Sequence, residues 1–175
     1  MKGRRHVSSR PSTPPTSAQV LTLLAATPPR LAALSAGLAP AQLRAAPGPD
    51  EWSANDVLAH LRACADVWGN CIAAMLEEDR PTLRAINPRT WIERTDYRKL
   101  DFRPSLSAFT AQRARLLAVL KPLPPEGWSR AATVTGAGKA LERTVLSYAE
   151  WLARHERPHV KQIEHIVSTL QVVHS

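Results

Sequence analysis

Apolar residues recur at three- and four-residue spacings in four stretches of this chain, with charged or small polar residues between them. That period marks an α-helix with one buried face. The clearest stretch is the last. Val145, Tyr148, Leu152, Ile163, Ile166 and Leu170 form a stripe on a helix that the pattern starts at Leu141 or Thr144. A second long stripe runs through Val57, Leu61, Cys64, Val67, Trp68, Cys71, Ile72 and Met75 to about Glu78. Ser53 and Asp56 resemble a capping box at its start, with Asp where Glu or Gln is usual, and Arg80-Pro81 ends it. Leu106, Phe109, Leu116, Leu117 and Leu120 predict a third helix, opened at Pro104-Ser105 and stopped by the proline-rich run 121–125. Nearer the start, Ser17 to Ala26 reads as a short helix that stops at Thr27-Pro28-Pro29. The same triplet is a start signal, with Thr27 as N-cap and Pro28 in the first helical position. Leu31, Leu34 and Leu38 then give a short amphipathic helix ending near Gly37 to Pro40.

The segments between these stripes lack a period. Residues 41–50 read as a Pro/Gly-containing loop. Residues 81–104 suit a crossover, or a loop that covers a site. Residues 127–140 carry a short β-like run with Gly136 and Gly138, which predicts a hairpin or an irregular lead-in to the last helix. The first sixteen residues are rich in Ser, Pro and Arg and read as disordered, with His6 a solvated bystander. The expectation is an all-α fold: a disordered basic tail at 1–16, then one four-helix bundle domain at 17–175.

Composition agrees with helices. Alanine and leucine are abundant, glycine is scarce (7 residues) and aromatics make up only 5%, which favours helix over sheet. The net charge of +8 is partly a property of the tail, because Lys2, Arg4, Arg5 and Arg10 supply half of it and no acid precedes Asp50. No basic stripe interleaved with aromatics appears, so specific nucleic-acid binding is not expected. Cys64 and Cys71 lie on one helix about 10.5 Å apart along its axis, too far for a disulfide. Free thiols fit a reducing compartment. The run Ala18–Ala26 is too short to span a bilayer and makes a poor export signal. A cytoplasmic protein without membrane attachment is expected.

The chemistry lies on the stripes. His155 and His159 share the core-facing side of the last helix, one turn apart and about 6 Å from each other. One core imidazole is easily satisfied by a backbone carbonyl. Two together leave four ring nitrogens in need of partners, and a divalent ion takes one from each. His60 faces the core on the second long helix and would meet them inside a bundle. Three neutral imidazoles with an open position make a catalytic type of site, suited to Zn²⁺, Ni²⁺ or Fe²⁺. Such an ion lowers the pKa of bound water or thiol, or polarises a carbonyl.

Other residues rank below these. Cys64, one turn after His60, reads more simply as a packed core cysteine than as a fourth ligand or reactive thiol. Gln162, three residues after His159, is placed to hydrogen-bond a ligand or bound water. Tyr148 is placed to line a pocket, and Asp56 caps its helix. Trp52 and Trp151 read as packing residues. Glu156, next to His155, is expected to point to solvent, and His165 falls off the site. Pro158 removes one helical hydrogen bond and is expected to kink the helix and shift His159 relative to His155.

The pattern Glu51-Trp52-Ser53-x-x-x-Val57-Leu58-x-His60-Leu61, followed after a long gap by His155-Glu156-Arg157-Pro158-His159-x-x-Gln162-Ile163, resembles the DinB-like superfamily. That group contains YfiT-like metal-dependent hydrolases and low-molecular-weight-thiol transferases. The resemblance spans about residues 27 to 172. It implies an up-down-down-up four-helix bundle, often a homodimer, with a divalent ion on His60, His155 and His159. It also implies a small-molecule substrate and, in the transferases, a thiol cofactor such as bacillithiol or mycothiol. The sequence shows no obvious general base beside the histidines, which favours the metal-bound nucleophile itself in that role. The rival expectation is a non-catalytic bundle serving dimerisation or ligand binding.

Overall fold

The computed structural model describes residues 14–172, with side chains through residue 170. In chain order the helices are α1 (Ser17–Ser35), α2 (Pro40–Arg44), α3 (Ala54–Glu77), α4 (Pro88–Ile92), α5 (Phe102–Leu120), α6 (Pro125–Ser129) and α7 (Val145–Val172). The strands are β1 (Thr82–Arg84), β2 (Ala131–Thr135) and β3 (Leu141–Thr144). The long helices α1, α3, α5 and α7 form the bundle. The expected tail falls mostly on residues outside those described.

Side-chain pairs fix the direction of each helix. Thr27 meets Glu156 and Arg30 meets Glu164, so α1 and α7 run parallel. His60 meets His155 while Trp68 meets Trp151, so α3 runs against α7. Arg62 reaches Ser105, and the Arg62 carbonyl and Asp66 both meet Gln112, so α3 and α5 run parallel. The order is up-down-down-up, as the family resemblance implies.

Sequence signals set most of the ends. The Ser53–Asp56 capping box opens α3, with Asp56 N donating to Ser53 Oγ at 3.1 Å and Ser53 N to Asp56 Oδ2 at the same distance. Thr144 and Ser147 make the same reciprocal arrangement at the start of α7. That helix starts at Val145, directly after β3, and not at Leu141. The expected hairpin is β2–β3, with Ala131 opposite Thr144; Gly136 and Gly138 turn it at φ +87° and +88°, a conformation that glycine adopts without strain. β1 adds in parallel on the other side of β2. Three residues are too few to show a period, so this strand was not expected.

The helix boundary expected at Thr27-Pro28-Pro29 does not exist. α1 continues through both prolines. The two missing N–H groups cost about 3 kcal/mol per proline in a helix interior. Against that, α1 lies along α5 and α7 and buries Val20, Leu24 and Leu31 completely, each worth roughly 1.5–3 kcal/mol. Thr27 caps nothing; its hydroxyl donates to Glu156 Oε2 at 2.8 Å.

Two apolar clusters fill the bundle. One joins Val20, Leu24, Val67, Trp68, Leu117 and Leu152. The other joins Leu31, Leu58, Leu61, Phe109, Val160 and Ile163. Each helix contributes a polar residue at the boundary between them: Thr27 from α1, His60 from α3, Arg113 from α5, and Glu156 with the two histidines from α7. Thr27, His60, Arg113 and Glu156 are buried in this mid-bundle layer.

Candidate metal centre

α3 and α7 bring His60, His155 and His159 together. One nitrogen from each ring can be chosen so that all three lie within 4.8 Å of one another. His60 Nε2 and His155 Nε2 are 3.1 Å apart. His60 is buried, and the other two are half-buried. Pro158 is exposed and lines the same cleft as His155, and the helix runs through it unbroken. The shift of His159 away from His155 that the proline implied is not seen: the two ring centroids are 4.7 Å apart.

Electrostatics keep the rings neutral. Burial, then His159 and His155, push His60 down to about 4. Burial and His159 push His155 down to about 4. His159 is also lowered by burial, opposed by its contact with Gln162. Gln162 Oε1 lies 3.1 Å from His159 Nδ1. Nδ1 therefore carries the proton and donates, which leaves Nε2 with a free lone pair.

The donor set fits a divalent ion. Three uncharged imidazoles offer lone pairs from two antiparallel helices, and one has its tautomer set by a side-chain amide. The 3.1 Å between His60 and His155 is close to the roughly 3.4 Å that separates two nitrogens on one tetrahedral ion at about 2.0–2.1 Å.

The neighbours divide into those expected and those missed. Cys64 Sγ sits 3.5 Å from His60 Nε2. Burial and the Glu156 carboxylate push its thiol up to about 12, so in the metal-free protein it stays protonated. Tyr148 lies on the face of α7 that carries the site but reaches none of the three rings. It stacks near Trp151 and shares a pocket with Cys71. His165 is exposed. Trp52, expected only to pack, stands against both His60 and His159, with centroids 5.2 and 6.5 Å away. Trp68 puts its plane at 90° to His155, 5.0 Å between centroids.

Arg89 of α4 was missed. It reaches over Trp52 at 5.6 Å and lines a cleft of about 450 Å³ with Asp50, Glu51, His159 and Gln162. Its segment had no period to read, although a loop covering a site was one expectation for residues 81–104. Asp66 anchors that segment, accepting from Tyr97 Oη at 2.6 Å and Trp91 Nε1 at 3.2 Å. A second cleft, of about 540 Å³, opens beside His155 between Arg143, Trp151 and Arg154.

Glu156 is the main correction. It is 1% exposed, not solvated. It accepts from Thr27 and pairs with Arg113, itself 3% exposed. Burial raises its carboxyl, and Arg113 and Thr27 oppose that rise. A helical wheel gives each residue one direction, but α7 is covered by α3 on one side and α1 on another. A residue 100° from His155 thus meets a different helix.

The fold and the cluster together describe a four-helix bundle with three imidazoles converging at its middle. The DinB superfamily model matches residues 8–163, and the chain belongs to that superfamily. Among solved structures the fold is similar to YfiT from Bacillus subtilis, described as a probable metal-dependent hydrolase with an unusual four-helix bundle topology. The TM-score is 0.74 at 19% identity, over 95% of this chain and 91% of that one. A search of curated protein sequences finds no match. No helix among the described residues is long and apolar enough to cross a membrane.

Proposed function

We propose that this protein is a metal-dependent enzyme acting on a small molecule, by hydrolysis or by transfer of a thiol, at a divalent ion held by His60, His155 and His159. The observation that carries the reading is the convergence of three neutral imidazole nitrogens within 4.8 Å at the edge of two open clefts. A divalent ion there supplies Lewis acidity and lowers the pKa of a water or thiol brought to it. The chain does the rest. Gln162 holds the His159 proton on Nδ1. Trp52 and Trp68 wall the imidazoles and limit water around them. Arg89 places a positive charge in the cleft beside His159, which favours an anionic group there. A homodimer in the cytoplasm completes the proposal.

The test is metal content. Protein purified without chelator should carry near-stoichiometric Zn, Ni, Fe or Mn by mass spectrometry, and a His155→Ala/His159→Ala variant should carry none. No uptake by the wild type, even after adding Zn²⁺ or Ni²⁺, overturns the reading. Hydrolysis and thiol transfer are then separated by screening esters, amides and electrophiles with and without bacillithiol or mycothiol.

A further inference from the structure

Beside the metal centre lies a third concavity that the proposed chemistry has not used. It measures about 420 Å³ and sits between α3, α7 and the small sheet. Its walls are apolar and aromatic. Among the described residues, three of the five most exposed large apolar side chains line it: Ile86 (47% exposed), Leu141 (47%) and Trp151 (42%). Exposed apolar side chains scattered singly need no explanation, but a cluster in a concave site does. Trp68 and Tyr148 form the buried floor.

The rings form a continuous path to the histidines. Tyr148 lies nearly parallel to Trp151, with 8° between planes and 6.3 Å between centroids. Trp151 stacks on Trp68 at 5.2 Å, and Trp68 meets the His155 ring. Arg143 stands at the rim with its guanidinium 5.2 Å over Trp151. That cation makes no ion pair and no side-chain hydrogen bond among the described residues. Arg143 and Trp151 line both this pocket and the cleft that holds His155.

We propose that this pocket receives the apolar body, aromatic or branched, of a small carboxylate substrate. Arg143 binds the carboxylate, and the reacting group reaches the three histidines across Trp151. An unpaired guanidinium braced on an aromatic face is suited to a carboxylate, which it can grip through two parallel N–H donors. The apolar wall supplies affinity and the single cation supplies orientation, the usual division of labour in a ligand pocket. The inference rests on the proposed function, because it names the substrate class for the same centre.

The probe is 2-naphthoate, with neutral 2-naphthamide as control. Binding is measured by calorimetry on the full chain, metal-loaded and chelator-treated. Wild type should prefer naphthoate to naphthamide at least tenfold in both states. Arg143→Gln should erase that preference, and Leu141→Glu should weaken naphthoate at least tenfold. Both substitutions are on the surface-facing hairpin, and both variants should keep wild-type metal content and circular dichroism. Absence of naphthoate binding, equal binding to wild type and Arg143→Gln, or binding that disappears with the metal and ignores Arg143 overturns the inference. The two readings fail separately. Normal metal uptake without charge-dependent naphthoate binding sinks the pocket and leaves the metal enzyme. Charge-dependent binding by a protein that takes up no metal sinks the enzyme and leaves the pocket.

Discussion

His155 and Glu156 are neighbours in sequence and occupy the same layer of the bundle, yet their surroundings are opposites. Glu156 faces α1 and α5 and is closed off, with Arg113 and Thr27 as partners and almost no exposure. His155 faces α3 and is half-open, with another imidazole as its nearest polar neighbour. The first cluster pairs its charges across three helices, although Arg113 Nε and Nη1 are buried without a hydrogen-bond partner. The second is three bases with no proton donor among them beyond their own ring N–H groups. Its ring nitrogens lie close enough together for one ion to take a lone pair from each. One turn of α7 thus presents two faces: one pairs charges between helices, and the other gathers three imidazoles beside open clefts.

That contrast breaks most forcefully on the locked side. Arg113→Ala leaves Glu156 buried without its countercharge and should cost about 3–5 kcal/mol, a fall of roughly 6–20 °C in Tm for a chain of this size. Metal content of the surviving folded fraction should be unchanged. A thermal melt within a degree or two of wild type would show that the pair does not lock the bundle. On the open side the expectation reverses. His155→Ala should scarcely move the melt of the metal-free protein. It should abolish the stabilisation by added metal, which for the wild type is about 4 kcal/mol at a thousandfold excess over Kd. A metal-induced rise in Tm that survives in the variant would place the ion elsewhere.

Acid separates the two clusters again. The folded pKa values of His60 and His155 are depressed to about 4, against 6.5 for an unperturbed histidine. As pH falls below 6.5 the unfolded chain takes up protons that the folded site refuses, so metal-free stability should drop progressively from pH 6.5 to about 4. Urea melts at intervals across that range check it. In a His60→Ala/His155→Ala variant the slope should flatten. The smallest effect belongs to Gln162. Gln162→Ala frees the His159 tautomer without removing a nitrogen from the cluster, and should weaken metal binding 10–100-fold. Competition with a chelator of known affinity reads that change.

The contrast also explains what a reader of the sequence alone sees. His60, His155 and His159 were legible because each breaks an apolar stripe in its own helix, and a helical period needs no partner to be seen. Glu156 was illegible for the complementary reason. Its burial depends on α1 and α5, whose residues Thr27 and Arg113 are 129 and 43 positions away. Pro28-Pro29 misled because helix-stop chemistry is local, while the burial of Leu24 and Leu31 that overrides it is tertiary. The small sheet and Arg89 lay in segments too short or too irregular to carry a period. Capping boxes, by contrast, are local in cause and effect, and Ser53–Asp56 appears as expected.

The separation of His60 from His155 by 95 positions has a consequence for the birth of the molecule. At about 5–20 residues per second, a ribosome makes His60 roughly 5–19 s before its partner and must still finish α7. Through that interval α3 has its apolar face and its imidazole but no α7 to cover them. An ion met then finds one ligand, not three, and has little reason to stay. The three-histidine cluster is therefore assembled only once α7 has been made, so any ligand that needs all three rings must arrive late in synthesis.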